Sequence, residues 1–253
     1  MYKKSFKILV LSVTLSMLLS SCGSSDDNAD NPDPVNPTNG LTTAVFNPGI
    51  SYENMTDQDG NIYKTVTIGT QTWMAENLRT TKYNDGTDIN EVTNDLAWYS
   101  TTSAAYCNYN NTSSFDLIAT YGRLYNWYAV NTGKLAPEGW HVPNDAEWLT
   151  LINYLNANPY AAKKLKEWGN MHWNVSDLGT NESGFTALPG GYRYLEGDFL
   201  ARGSAGFWWS TTEVSDTNIK FYSISGLENV SYVHEDTYPK NAGFSIRLVK
   251  NSN

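Results

Sequence analysis

Cysteine and histidine are scarce in this sequence. Its 253 residues include two cysteines, Cys22 and Cys107, and three histidines, His141, His172 and His234. If Cys22 serves at the amino terminus, as argued below, Cys107 has no partner for an intramolecular disulfide or a thiolate zinc cluster. The histidines lack a His-x-x-x-His or similar spacing, so the sequence argues against metal catalysis through imidazole.

Positive charge is also in short supply. Lys and Arg together number 17 against 26 Asp and Glu, which gives a formal net charge of -9 and a pI near 4.8. Affinity for a phosphate backbone depends on clustered Lys and Arg, so we predict no nucleic-acid partner. A hydrophobic content of 40% with 17% charged residues suits one globular domain with appendages.

The long apolar run at the start of the chain, residues 8–19, follows Lys3, Lys4 and Lys7. It is too short and wrongly flanked for a permanent membrane span, and it predicts a secretory signal peptide over residues 1–21. The run ends in LSSC, which resembles the lipobox of bacterial lipoproteins, whose cysteine is acylated and becomes the mature amino terminus. We therefore predict that Cys22 is lipidated and attaches the protein to a membrane. The alternative is an ordinary exported protein with a chance cysteine.

The residues behind Cys22 have the composition of a linker. Residues 23–40, GSSDDNADNPDPVNPTNG, have too few apolar groups to offset chain entropy. We predict a flexible polar tether over residues 22–45 and a globular domain over residues 46–253. Asp26 and Asp27 resemble the acidic export signal of Bacteroidetes lipoproteins, which implies a location in the outer membrane, facing the cell exterior.

Hydrophobic periodicity predicts the elements of the globular part. The alternation in IYKTVTI predicts a strand over residues 62–68, and Gly69-Thr70 predicts a tight turn into a partner strand within QTWMAENL. Residues 79–114 show no sustained period and predict a long ordered loop region. The other predicted elements are helices over residues 121–130 and 160–168 and strands over residues 207–212, 219–224 and 243–249.

The stretch GWHVPNDAEWLTL, residues 139–151, has the residue types of a reactive centre but the spacing of a helix entrance. Asn144 precedes Glu147 by three residues, as in a capping box. An apolar stripe follows at positions 148, 151, 152 and 155. Asp145 and Glu147 would diverge by about 200° on this helix, which argues against a catalytic carboxylate pair. We interpret His141 as a packing or hydrogen-bonding residue.

Five ordered segments carry a family resemblance: DGNIYKTVTIGTQTWMAENLRTTKYNDG, YGRLYNWYAVNTGKLAPEGWHVPNDAEWLTL, TNESGFTALPGGYR, FWWSTTE and GFSIRLVK. Together they resemble the Fibrobacter succinogenes major paralogous domain family, which occurs in bacterial surface proteins and lipoproteins. This resemblance covers nearly the whole domain. It implies a family of bacterial surface proteins but not a biochemical activity.

A more distant likeness is to the formylglycine-generating enzyme and C-type lectin-like superfamily. Residues 140–148 resemble the Pro-x-x-x-Glu-Trp helix entrance of the enzyme, and Gly243-Phe244-Ser245-Ile246-Arg247 resembles its closing strand. The likeness implies an α+β fold, with two helices packed on twisted antiparallel strands and long loops. The enzyme's paired copper-binding cysteines and the lectins' Glu-Pro-Asn and Trp-Asn-Asp signatures are missing, so neither activity transfers.

These observations predict a non-catalytic binding module, attached by lipid to the cell surface, that recognises an extracellular glycan or protein. Nine Trp and 17 Tyr motivate the prediction, because their faces stack on sugar rings while their polar atoms stay hydrated. The predicted ligand-binding residues are Tyr99, Tyr106, Tyr109, Trp173, Trp208, Trp209 and Tyr232. Since Trp208 and Trp209 are adjacent, a strand would bury one and leave the other available.

Three alternatives remain open at this stage. A structural or assembly role requires only that the domain is stable and is exposed at the cell surface. An enzyme acting on polysaccharide would need two converging carboxylates, and no spacing in the sequence singles out a pair. Calcium would fit any of these roles, held by an acidic loop containing Asp85, Asp88, Glu91 and Asp95, although a solvated loop explains the same residues.

Overall fold

The computed structural model describes residues 36–156, 161–227 and 230–252. The predicted signal peptide, Cys22, Asp26 and Asp27 therefore lie outside the described residues. Within these ranges the chain forms a mixed α/β fold with short helices and curled antiparallel sheets. No helix of the described part is long and apolar enough to cross a membrane.

The secondary structure alternates short strands with short helices. In chain order the described strands are β1 (Glu53–Thr56), β2 (Ile62–Ile68), β3 (Gln71–Met74), β4 (Asn90–Glu91), β5 (Ala105–Cys107), β6 (Leu124–Tyr125), β7 (Trp140–His141), β8 (Tyr192–Arg193), β9 (Phe199–Leu200), β10 (Ala205–Glu213), β11 (Asn218–Leu227), β12 (Val230–Pro239) and β13 (Val249–Lys250). The described helices are α1 (Asp95–Ser100), α2 (Phe115–Tyr121), α3 (Trp127–Val130), α4 (Asp145–Tyr154) and α5 (Ala161–Leu165), with a 3-10 turn at Tyr109–Asn111.

Four sheets organise the described strands. The largest has the order β1-β2-β3-β13-β7, and it joins the first hairpin of the domain to its last strand. A second sheet is the antiparallel meander β10-β11-β12. The smaller sheets are β4-β5-β6 and β8-β9.

The amino-terminal residues 36–47, called here the strap, are ordered on the domain. Thr38 donates from Oγ1 to Asn61 Oδ1 (3.0 Å), and Thr43 Oγ1 lies 2.9 Å from His172 Nε2. Further along, Val45 accepts a backbone hydrogen bond from Trp168. The prediction of a flexible tether as far as residue 45 is therefore wrong for residues 36–45. Polar groups of these residues form hydrogen bonds with groups of the domain.

The predicted hairpin and the predicted capped helix are confirmed. Strand β2 has the predicted bounds and pairs with β3 in antiparallel register. Helix α4 begins after Asn144, which accepts from the Glu147 amide while Glu147 accepts from the Asn144 amide. Two strong local signals, turn glycine and helix cap, thus set these elements.

The predicted helix over residues 121–130 is wrong. Helix α2 ends at Gly122, whose φ is 74°, and a Cβ there would lie 2.5 Å from the Asn77 side chain. After β6, Asn126 caps the separate helix α3. A left-handed glycine in close contact with a neighbouring segment therefore interrupts an apparently helical pattern.

The remaining predicted elements hold in part. The loop region 79–114 contains the unpredicted helix α1, which Asn94 caps. The predicted helix 160–168 is shorter, as α5, and residue 160 lies outside the described part. Strands 207–212 and 219–224 are confirmed inside β10 and β11. In the last predicted strand, by contrast, residues 243–245 form isolated bridges to three different segments, and a ladder begins only at Val249.

The core consists of two large hydrophobic clusters with β10 between them. Trp209 packs in one cluster, where its ring centroid lies 4.3 Å from that of Phe244. Trp208 packs in the other cluster beside Trp148. Alternate side chains of β10 therefore enter different halves of the core, and over residues 205–210 neither face of this strand is exposed.

Candidate binding site

A polar groove lies where α4, the β2–β3 hairpin and the carboxyl-terminal residues meet. Its volume is about 560 Å3. The lining residues are Thr70, Gln71, Thr72, Glu147, Thr150, Val249, Lys250, Asn251 and Ser252. Eight of these nine offer hydroxyl, amide or charged groups, so the groove suits a ligand rich in hydrogen-bonding groups.

Helix α4 supplies one wall of the polar groove. Glu147, Thr150 and Tyr154 follow one another at i, i+3 and i+7, a spacing that places them on one face of the helix. The buried residues Trp148 and Leu151 occupy another face. The same amphipathic pattern that anchors the helix in the core therefore presents a polar row to the groove.

A chain of hydrogen-bonded side chains runs beside this wall. His141 Nε2 lies 2.7 Å from Glu147 Oε1, and His141 Nδ1 lies 2.6 Å from Asn251 Oδ1. The other oxygen of Glu147 accepts from the Asn144 amide at 2.9 Å. Both carboxylate oxygens thus have partners, which holds Glu147 in one orientation. The interpretation of His141 as a hydrogen-bonding residue is confirmed.

The hairpin supplies the opposite wall. Gln71 donates from Nε2 to the Glu147 carbonyl (3.1 Å) and accepts from Trp73 Nε1 (3.2 Å). Thr72 Oγ1 lies 3.0 Å from Thr67 Oγ1. The Gln71–Glu147 hydrogen bond therefore joins the two walls of the groove directly.

An exposed aromatic ring stands at the end of the polar row. Tyr154 is 61% exposed, and its ring covers Gly69, next to the groove residue Thr70. Gly69 has a φ of 62°, and a Cβ there would lie 2.9 Å from the tyrosine ring. The turn and the ring therefore both require glycine at this position.

The arrangement combines the two contacts by which proteins hold sugars. Hydroxyl, amide and carboxylate groups in the groove can exchange hydrogen bonds with sugar hydroxyls. The open face of Tyr154 can stack on the apolar side of a sugar ring. Since the walls are already hydrogen-bonded to each other, little ordering is needed on binding.

A match to a family model identifies the domain that contains this groove. Residues 66–250 match the model of the Fibrobacter succinogenes major domain. The chain belongs to this family. Comparisons with curated proteins and with solved structures gave no match. The Fibrobacter succinogenes major domain of this chain therefore includes the whole of β3 and α4 and most of the groove.

The structure places three of the predicted aromatic residues within reach of a ligand. Tyr99 is 55% exposed on α1, and Tyr109 and Tyr232 are half-buried. None of the three lines the polar groove. Their role in ligand binding stays a prediction.

The other four aromatic predictions are wrong as exposed sites. Trp208 and Trp209 are both buried, because β10 has a hydrophobic cluster on each side. Trp173 is buried and donates from Nε1 to the Ala187 carbonyl (3.2 Å). Tyr106 is buried beneath the guanidinium of Arg123, whose centre lies 5.0 Å from its ring centroid.

The acidic loop does not assemble into a cation site. Asp85 pairs with Lys134 Nζ at 2.8 Å, and these contacts hold the pKa of its carboxyl well below the usual range. Asp95 pairs with Arg193 Nη2 at 2.7 Å. Asp88 and Glu91 are exposed, and no group of three metal-ligating side chains forms in the described ranges. The calcium prediction from these four residues finds no support, because basic residues distant in sequence bind two of them.

Sequence reasoning missed Tyr154 and the groove. The available signal was the position of Tyr154, seven residues after Glu147 and outside the apolar stripe of its helix. An aromatic residue on the polar face of an amphipathic helix has no core to fill. The hairpin and the carboxyl-terminal residues, however, join the site only through tertiary contacts.

Proposed function

We propose that this chain is a non-catalytic binding module of the bacterial cell surface that holds an extracellular glycan in the polar groove. The observation that carries the proposal is the exposed ring of Tyr154 at the end of a groove lined by hydroxyl, amide and carboxylate groups. Aromatic stacking together with convergent hydrogen bonds is how a shallow protein surface selects a sugar.

The sequence supports a lipid attachment at Cys22. Its basic segment, short apolar run and LSSC motif resemble those of acylated, exported lipoproteins. In the proposed arrangement the acyl chains at Cys22 lie in the outer membrane, and the domain faces the cell exterior to meet polymers. Globomycin treatment of cells should cause the unprocessed precursor to accumulate, and mass spectrometry of the native product should show an acylated Cys22.

We further propose that the mixed α/β fold is of the C-type lectin-like kind. The two segments that resemble the formylglycine-generating enzyme support this, because the fold brings the first beside the continuation of the second: His141 pairs with Val249, two residues after Arg247, in the largest sheet. Arg247 of the second segment is fully buried and donates to the carbonyls of Phe185 (2.6 Å) and Thr186 (3.0 Å). An experimental structure superposed on lectin-like domains tests the assignment.

Binding to a glycan array tests the proposed function. The purified protein should bind a defined set of glycans, and Tyr154→Ala should reduce the affinity by on the order of tenfold, the loss expected for one stacking contact. Asn251→Ala, which removes a polar group of the groove, should also weaken binding.

Phe115→Ala is the control, since it removes a comparably exposed aromatic ring that lies outside the groove and is not among the predicted ligand-binding residues. Equal binding by wild type and Tyr154→Ala would place the site elsewhere. Release of a soluble product from any bound polymer would contradict a non-catalytic role.

A further inference from the structure

A second set of residues, separate from the polar groove, joins an exposed cation to aromatic rings. Arg202 is exposed, and the centre of its guanidinium lies 4.7 Å from the Tyr109 ring and 5.9 Å from the Tyr121 ring. Both rings are half-buried. We call Arg202, Tyr109 and Tyr121 the arginine–tyrosine patch.

The charge of Arg202 is not neutralised by the described residues. No carboxylate of the described part lies within 4.0 Å of it, whereas the exposed Lys134 pairs with Asp85 and Lys240 pairs with Glu213. Stacking on a tyrosine face stabilises a guanidinium and leaves the N–H groups at its edge available. In a chain with a net charge of -9, Arg202 is thus a local positive charge without a carboxylate partner among the described residues.

The backbone around Arg202 is held in place before any ligand arrives. Ala201 has a φ of 64°, a region that residues with a side chain seldom adopt, and its carbonyl accepts from the Ala205 amide at 2.9 Å. Gly203 donates to the Pro189 carbonyl (2.8 Å) and accepts from the Asn174 amide (2.7 Å). The strained turn is therefore fixed on both sides, and Arg202 projects from a rigid support.

A second arginine stacks on the same segment of chain. Arg123 covers Tyr106, donates from Nε to the Arg79 carbonyl (2.9 Å), and also donates to Asn108. No described carboxylate lies within 4.0 Å of Arg123 either. Residues 106–109 therefore carry two guanidinium groups, each on a tyrosine ring and each without a carboxylate partner.

From these contacts we infer that the arginine–tyrosine patch binds the acidic group of an anionic sugar. A guanidinium edge can donate two parallel hydrogen bonds to a carboxylate or to a sulfate ester. The flanking tyrosine rings can pack against the sugar ring that carries the acid. This inference goes beyond the proposed function, because it assigns a second site and does not require the polar groove to bind.

Binding to immobilised polymers tests the inference. The purified full-length protein is applied to polygalacturonate, which carries carboxylates, to dextran sulfate, which carries sulfate esters, and to neutral dextran. We expect binding to at least one anionic polymer, weakened as salt rises from about 0.05 to 0.5 M, and little binding to dextran. Binding to polygalacturonate alone, dextran sulfate alone or both identifies the acidic group.

Variants that change one positively charged residue each distinguish binding at the patch from non-specific electrostatic attraction. Arg202→Gln should lower the affinity for the acidic polymer by on the order of tenfold, since hydrogen bonds to a charged group are lost. Arg202→Lys, which keeps the charge but loses the planar fork, should fall between wild type and Arg202→Gln. Lys134→Gln removes one positive charge that Asp85 already neutralises and should bind like wild type.

Failure of this inference is distinguishable from failure of the proposed function. Tyr154→Ala should leave the acidic polymer bound. Three results would overturn the patch as an anion site. Arg202→Gln and Lys134→Gln could bind the acidic polymer with equal affinity, or the wild type could bind neither anionic polymer. The wild type could also bind dextran as well as it binds the anionic polymers. Thermal melts of each variant report whether the fold is intact, and Arg202→Lys provides the comparison if Arg202→Gln melts early.

Discussion

At the scale of single residues, burial determines the chemistry of Cys107. Its side chain is fully buried on β5, and burial raises the pKa of the thiol from 9.0 to about 12. Between those two pH values the unfolded chain loses a proton that the folded chain keeps. The contribution to stability is therefore fully present below pH 9 and is lost as the pH rises above it.

Slow modification of Cys107 in the native state is the expected outcome. With Cys22 replaced by Ser, labelling by iodoacetamide at pH 8 should be at least about a hundredfold slower in the folded protein than in urea, because the thiolate is the reactive form. Mass spectrometry counts the added groups over time. A Cys22→Ser, Cys107→Ala double variant gives the background rate. Rapid labelling of the native protein would contradict the buried, protonated thiol.

At this scale the sequence predicted the chemical role of a residue better than it predicted whether the residue is exposed. It identified the hydrogen-bonding role of His141, which depends on residue type and local spacing. It could not rank the aromatic residues, because exposure depends on contacts between distant segments. Tyr106, for example, is covered by Arg123, 17 residues away, and both Trp208 and Trp209 are covered because β10 lies inside the core.

At the scale of secondary structure, elements with a strong local signal were predictable. Strand β2 and helix α4 combine the right period with a turn glycine or a capping box. Residues 121–130 carry apolar residues at helical spacing, yet Gly122 has a left-handed φ of 74° that ends the helix, and its contact with Asn77 leaves no room for a side chain. Residues 243–248 have strand composition, but residues 243–245 each bridge to a different segment, a pattern that no local signal encodes.

Loss of the cap should destabilise α4 measurably. Asn144→Ala removes the acceptor for the Glu147 amide and should lower the free energy of unfolding by about 1 kcal/mol. For a domain of this size the melting temperature should fall by roughly 2–4 °C. Circular dichroism during heating measures this change.

Asn153 offers a matched control on the same helix. Asn153→Ala replaces an exposed asparagine inside α4, where alanine is the better helix former, so its melting temperature should stay constant or rise slightly. If both variants melted alike, the capping box would contribute no stability.

At the scale of the whole molecule, the ordered domain begins earlier than composition indicates. The family model starts at residue 66, and the polar composition of residues 23–40 predicts a tether. The strap is nevertheless ordered, because its side chains serve groups that the domain buries. Arg79 is 2% exposed and donates from Nε to Thr38 Oγ1 (2.8 Å) and from Nη2 to Asn39 Oδ1 (3.2 Å). Composition predicts whether a segment has enough apolar side chains to form a core of its own. It does not show whether its polar side chains form hydrogen bonds with buried groups of another segment.

Removal of the strap residues 36–45 should therefore destabilise the whole domain. A chain that starts at residue 46 removes two acceptors of the Arg79 guanidinium, and hydrogen bonds to a charged group contribute roughly 1.5–3 kcal/mol each. Compared with a chain that starts at residue 36, we expect a loss of about 2–5 kcal/mol, measured by urea denaturation followed through tryptophan fluorescence. The double variant Thr38→Ala, Asn39→Ala in the longer chain should reproduce a large part of that loss. Equal urea midpoints for the two chains would show that the strap lies on the domain without stabilising it.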